Sequence, residues 1–182
     1  MGWIIALFVV LIIAVWFISA YNKLIDLKNK VKNAWSQIEV HLKRRFDLSP
    51  NLVNTVKGYA AHESDTLQSV IEARNRYNAA STPAEQMEAS NQLSATLGHL
   101  FALTEAYPDL KANQSFMSLQ NELTETENKV AFTRQFYNDT VMKYNTAIQK
   151  FPTVIAASLF RFGEEPYFKA GEEAQNAPKV EF

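Results

Sequence analysis

Arg44-Arg45-Phe46-Asp47-Leu48-Ser49-Pro50-Asn51-Leu52-Val53 is the stretch on which the helix count turns. Serine is a favourable helix N-cap, and proline is tolerated at the first helical position, where its missing N–H costs nothing. Read that way, one helix ends near Leu48 and another starts at Pro50. The alternative is a single long helix that kinks at the proline. The turn is the favoured reading, with the chain reversing direction at Ser49-Pro50.

Upstream of this point Leu24, Leu27, Val31, Ala34 or Trp35, Ile38, Leu42 and Phe46 recur at steps of three and four, the stripe of an amphipathic helix. Further upstream, Gly2 to Tyr21 contains one polar side chain, Ser19, and no charge occurs before Lys23. Twenty helical residues rise about 30 Å, the hydrocarbon thickness of a bilayer. A cleaved signal peptide would carry a basic residue ahead of a shorter apolar run. Residues 1–22 are therefore expected to be an uncleaved transmembrane anchor. Nothing between Ala20 and Asn33 breaks a helix, so the span should continue into the amphipathic stripe.

The formal net charge of −1 excludes a broadly basic nucleic-acid-binding surface, but its distribution is uneven. Seven Lys/Arg stand against Asp26 and Glu39 in residues 1–45, and the rest of the chain is net negative. Lys23, Lys28, Lys30 and Lys32 flank the apolar run directly. Basic residues beside a span are retained in the cytoplasm. The expected topology is single-pass in the cell (inner) membrane, with the N-terminus outside and the C-terminal domain inside.

Downstream, a second stripe comprises Leu52, Val53, Val56, Tyr59, Ala60, Leu67, Val70, Ile71 and Tyr77. Ala79-Ala80-Ser81-Thr82-Pro83 has loop composition, with Thr82 or Ser81 as the cap of a third helix carrying Met87, Leu93, Leu97, Leu100, Phe101 and Leu103. That helix should stop before Tyr107-Pro108-Asp109. A fourth, over 112–150, carries Phe116, Leu119, Leu123, Val130, Ala131, Tyr137, Val141, Tyr144 and Ile148, and Phe151-Pro152 ends it. A short helix over 153–162 follows. The predicted fold is all-α: an antiparallel up-and-down four-helix bundle over residues 23–168, with a flexible tail over 169–182. A turn at Pro50 would put residues 151–168 at the membrane-proximal end.

Chemistry is sparse. The absence of cysteine excludes disulfides, iron–sulfur clusters and thiol nucleophiles. His41, His62 and His99 lack a histidine partner at i+3 or i+4, and His62-Glu63 continues Ser64-Asp65-Thr66, not as a zinc-protease helix. Glu63/Asp65, Glu125/Glu127 and Glu164/Glu165 sit on different helix faces. There is no phosphate-binding glycine loop. The expectation is a non-enzyme with no catalytic residue, metal, cofactor or small-molecule substrate. Two patches say more. Arg134, Asn138 and Asn145 share a face, with Asp47 and Asn51 as possible partners. They are either a polar network that fixes helix register or partly exposed surface residues. Phe151, Phe160, Phe162, Tyr167 and Phe168, with Val154 and Ile155, either close the bundle's end or form a headgroup-level or subunit contact. Basic residues from Lys23 to Arg45 would each add up to about 1 kcal/mol of attraction to anionic lipid.

The blocks Arg44–Val53, Val56-Lys57-Gly58-Tyr59-Ala60, Tyr107-Pro108-Asp109-Leu110-Lys111-Ala112-Asn113, Tyr137-Asn138-Asp139, Tyr144-Asn145-Thr146-Ala147-Ile148, Phe151-Pro152 and Pro166-Tyr167-Phe168 resemble, in order, the LemA family of bacterial membrane proteins. Ser49 departs from an aliphatic residue common before that proline. The resemblance implies a short N-terminal anchor, a helical bundle and no established molecular activity. It also implies an association with envelope and internal-membrane organisation, in one branch with magnetosomes, and a genetic neighbourhood that includes membrane proteases. The leading expectation is a scaffold or adaptor that works beside the lipid bilayer through protein partners or as a homo-oligomer. The alternative is a sensor or regulatory subunit of a membrane complex, for example with a membrane protease.

Overall fold

The structure, a computed structural model, describes residues 1–60 and 62–169. They form six α-helices and no strand: α1 Gly2–Lys57, α2 Ser64–Ala79, α3 Pro83–Leu103, α4 Pro108–Lys111, α5 Gln114–Gln149 and α6 Thr153–Leu159, with a 3₁₀ turn at Thr104–Ala106. The tail expected over 169–182 falls outside the described residues except for Lys169.

The expected turn at Pro50 does not occur: Pro50 lies inside α1. Proline cannot donate to the carbonyl four residues earlier, here that of Phe46. Ser49 Oγ donates to that carbonyl instead, at 2.7 Å, from a buried position. The hydroxyl that looked like a cap replaces the missing backbone bond, and the helix continues. The reversal follows Lys57, seven residues later, where Tyr59 N and Ala60 N both donate to Val56 O at 2.9 Å. The second stripe is thereby divided. Leu52, Val53 and Val56 belong to α1, and Leu67 and Val70 to α2.

The other boundaries follow local chemistry. Thr82 accepts from Glu85 N, while the Glu85 carboxylate accepts from Ser81 N at 2.7 Å and Thr82 N at 3.0 Å, a capping box with Pro83 in the first turn. Those bonds hold the Glu85 carboxyl below its usual range, the one from Ser81 contributing most. Pro108 opens α4, and the Asn113 side chain accepts from Phe116 N at the start of α5. At the end of α6, Phe162 N reaches Ala157 O and Arg161 takes the left-handed conformation, φ 56°, usually left to glycine.

Two compact units emerge. The first comprises residues 1–36 and 135–167, with Leu24, Val31, Ala34, Tyr137, Val141, Tyr144, Ile148, Ala156 and Ala157 buried. The second comprises residues 37–134 with Phe168 and Lys169, and all four long helices contribute to it. Phe46 stacks on Tyr77 at 4.0 Å, joining α1 to α2, and Phe101 meets Phe116 edge-on at 6.3 Å, joining α3 to α5. Tyr107 donates to Glu63 and Asn113 donates to Tyr59, both at 2.9 Å, tying the α1–α2 reversal to the loop before α5.

Both long helices keep a seven-residue period. Leu24, Val31, Ile38, Arg45 and Leu52 are buried along α1, and Phe116, Leu123, Val130, Tyr137 and Tyr144 along α5. Thr126, Thr133 and Thr140 repeat at the same interval on α5, each donating to the carbonyl one turn back. Such a period marks a coiled-coil-like seam. From Met1 to Val15, by contrast, every side chain of the apolar segment is exposed, Trp3 by 90 %. A core helix of a soluble protein would be covered. The segment is long and apolar enough to cross a membrane.

Candidate functional site

In the first unit, one face of α5 holds the chain that returns after α6. Tyr144 Oη donates to Gly163 O at 2.9 Å, and Tyr137 Oη donates to Pro166 O at 2.8 Å. Between them the Asn145 amide makes two bonds to one residue, donating to Glu165 O at 2.9 Å and accepting from Glu165 N at 3.0 Å. Gln149 donates to the Glu164 carboxylate, and Lys28 of α1 lies 3.8 Å from that of Glu165. The stripe therefore reads backbone, as a neighbouring strand would, and fixes the register of residues 163–166. Burial pushes the Tyr137 phenol up to about 12, with nearby Glu165 adding to the shift, and raises that of Tyr144 for the same reasons.

The residues singled out from the sequence separate here. Asn145 is buried, and its amide is satisfied by Glu165. Asp47 and Asn51 lie exposed on α1. In the second unit, the Arg134 guanidinium sits over the Phe168 ring at 5.6 Å, and Phe168 is buried. Asn138 is half-buried on α5 and has a partner of its own. Lys23, Lys30 and Lys32 are exposed, and Lys28 is half-buried, 6.0 Å from the Phe162 ring.

Among the described residues one charged side chain is buried in a core, and in the sequence it stands out only as the end of the basic stretch from Lys23 to Arg45. Arg45, 2 % exposed in the second unit, occupies a seam position of α1 between Ile38 and Leu52. Its Nη2 is ion-paired to Glu127 of α5 at 2.6 Å and donates to Ser94 Oγ of α3 at 3.0 Å. Nε and Nη1 have no hydrogen-bond partner among the described residues. Desolvation lowers the guanidinium pKa, and Glu127 opposes that shift. A single buried polar group at a seam position fixes register between helices. The signal was available in the sequence: Arg45 falls seven residues after Ile38 and seven before Leu52.

The aromatic patch divides too. Phe160 and Phe162 pack against Tyr21, with ring centroids 4.7 and 5.8 Å away, so part of the patch meets the end of the apolar run. Phe151 is 81 % exposed, and Tyr167 is also exposed. His41, with Glu125, Asn128, Lys129, Phe132 and Thr133, lines a shallow depression of about 330 Å³ in the second unit, in which Phe132 is 75 % exposed. His99 lines another with Glu63 and Glu105, and His62 is exposed.

The LemA family model matches residues 34–182. Protein LemA of Metamycoplasma hominis is 26 % identical over 170 residues, covering 91 % of this chain and 78 % of that protein. Magnetosome protein MamQ of Magnetospirillum gryphiswaldense is 24 % identical over 189 residues, covering 88 % and 70 %. Magnetosome protein MamQ 2 of Paramagnetospirillum magneticum is 25 % identical over 175 residues, and the match spans 82 % of this chain but 64 % of that relative. The matched region takes in the Arg45 ion pair, the α5 stripe and the segment it holds, and the chain belongs to the LemA family.

Proposed function

We propose that this protein is a single-pass membrane-anchored scaffold or adaptor, in which an up-and-down helical bundle works through protein–protein contact or self-association at the membrane surface and catalyses no reaction. One observation carries the reading: α1 leaves a fully exposed apolar stretch and continues without a break into a buried seam, so one continuous helix serves both anchor and domain. Exposed Phe132 beside His41 offers apolar area for a partner. The lysines after the span favour a cytoplasmic domain at the inner membrane. The magnetosome names of two relatives fit a role in organising membranes. Cross-linking the intact protein in mild detergent, with mass spectrometry of what co-purifies, tests this. Stable complexes or oligomers are expected, and a strict monomer that retains no partner would overturn it.

The same continuity of α1 supports a second reading, a sensor or regulatory subunit that passes a state along the helix. It predicts that inserting two residues after Asn29 changes function while the helical circular dichroism persists.

A further inference from the structure

Helix α6 turns its smallest side chains inward and its largest outward. Ala156 and Ala157 are buried, whereas Ile155 and Leu159, one turn apart, are 47 % and 66 % exposed, and Phe151, just ahead of the helix, is 81 % exposed. Phe160 continues that apolar surface at 48 % exposure. Bulky apolar side chains gathered on one surface mark a contact that water does not fill.

What covers this face follows from the neighbour it touches. Phe160 and Phe162 lie against Tyr21 within the same unit. Tyr21 closes the uncharged run that begins at Gly2, and the length of that run equals the hydrocarbon thickness of a bilayer. With the run in a membrane, Tyr21 stands at the headgroup boundary, where aromatic rings concentrate, and Lys23 lies just beyond. The α6 surface is held to that same depth by ring contact. Exposed Lys150 precedes Phe151 and exposed Arg161 follows Phe160, so basic side chains border the apolar surface at both ends. Apolar face with basic rim is the composition of an element that lies in an anionic interface.

We propose that α6 and the residues flanking it form a second, interfacial membrane contact, in which Ile155 and Leu159 of the helix, with Phe151 before it and Phe160 after it, rest at the boundary between headgroups and acyl chains beside the span. This rests on the anchor reading above. A bilayer is the favoured occupant over a second copy of the chain because the surface is continuous, through Tyr21, with the segment already assigned to lipid.

The chain has no cysteine, so single cysteines can be spin-labelled in the full-length protein without further changes. Labels at Ile155→Cys and Leu159→Cys, with Val10→Cys in the span and Asn121→Cys on exposed α5 surface, are compared in phosphatidylethanolamine/phosphatidylglycerol vesicles. The readout is relaxation by oxygen, which partitions into lipid, against a water-soluble nickel chelate. The expected result is a several-fold excess of oxygen over nickel relaxation at Leu159 and Ile155, smaller than at Val10 and opposite to Asn121. Nickel accessibility at Leu159 equal to that at Asn121 overturns the proposal while Val10 remains deep. Shielding from both reagents, or spin–spin coupling between copies, also overturns it by showing protein on that face. Aqueous behaviour at Val10 overturns the anchor reading and this inference together.

Discussion

Arg45 sits where the seam of α1 otherwise places Leu, Val and Ile, and the position decides what its loss should do. Its charge is stranded in a core if Glu127 is removed, because two of its nitrogens already have no partner among the described residues. Glu127→Ala is expected to destabilise the domain by about 2–3 kcal/mol, below the range for a fully buried pair because the Glu127 side chain is 42 % exposed. Arg45→Met, which removes the charge and keeps the volume, should cost less than half as much. Thermal unfolding followed by circular dichroism ranks the two, and a larger loss from Arg45→Met would contradict the desolvation argument. Tyr137 makes the complementary case, a buried phenol that must stay protonated to donate to Pro166 O. Its folded pKa of about 12 lies above the ordinary 10, so its stabilisation is complete below pH 10 and is lost as pH rises toward 12. Tyr77, raised to about 12 mainly by burial and then by Glu39 and Asp47, titrates in the same window. Tyr137→Phe should cost about 1 kcal/mol at neutral pH and make the alkaline loss shallower without abolishing it. An unchanged slope between pH 10 and 12 would show that the phenol is not linked to folding.

At the level of the elements, most of the fold was legible because long helices advertise themselves by period. The third helix was expected to carry Met87 to Leu103 and is Pro83–Leu103; the fourth, expected over 112–150, is Gln114–Gln149. The reversal after α1 was misplaced because Ser-Pro has two meanings in a helical sequence. As a cap, serine serves donors ahead of it; inside a helix, its hydroxyl serves the carbonyl that proline abandons. Only the tertiary burial of Ser49, Leu52 and Val53 selects the second. The role of Asn145 was also out of reach, because its partner at Glu165 comes from irregular chain with no periodicity to announce it. The Ser49–Pro50 compensation can be tested directly. Ser49→Ala leaves the Phe46 carbonyl unpaired and should cost about 1–2 kcal/mol. In a Pro50→Ala background the backbone restores that bond, so the same Ser49→Ala change should cost under about 0.5 kcal/mol. A double-mutant cycle by chemical denaturation measures the difference, and additive effects would remove the compensation argument.

For the molecule as a whole, the consequential quantity is the side of the membrane on which residues beyond Tyr21 reside. The span carries no charge, so its flanks decide, and four lysines, Lys23, Lys28, Lys30 and Lys32, follow it within about a dozen residues. Three of the four lysines are exposed and make no structural demand of their own, while Lys28 contributes a weak 3.8 Å pair with half-buried Glu165. Replacing all four with Gln should therefore leave the helices folded while removing most of the topological bias. Adding three lysines ahead of Trp3 in the same variant should reverse it. With the natural chain in intact spheroplasts, externally added protease is expected to leave the domain undigested; in the lysine-shifted variant, a substantial fraction should become cleavable. Complete digestion of the natural chain from outside would place the domain on the other face and redirect the search for partners to extracytoplasmic proteins. Protection of both forms would mean that the α6 contact or the folded domain, rather than the flanking charge, sets the orientation.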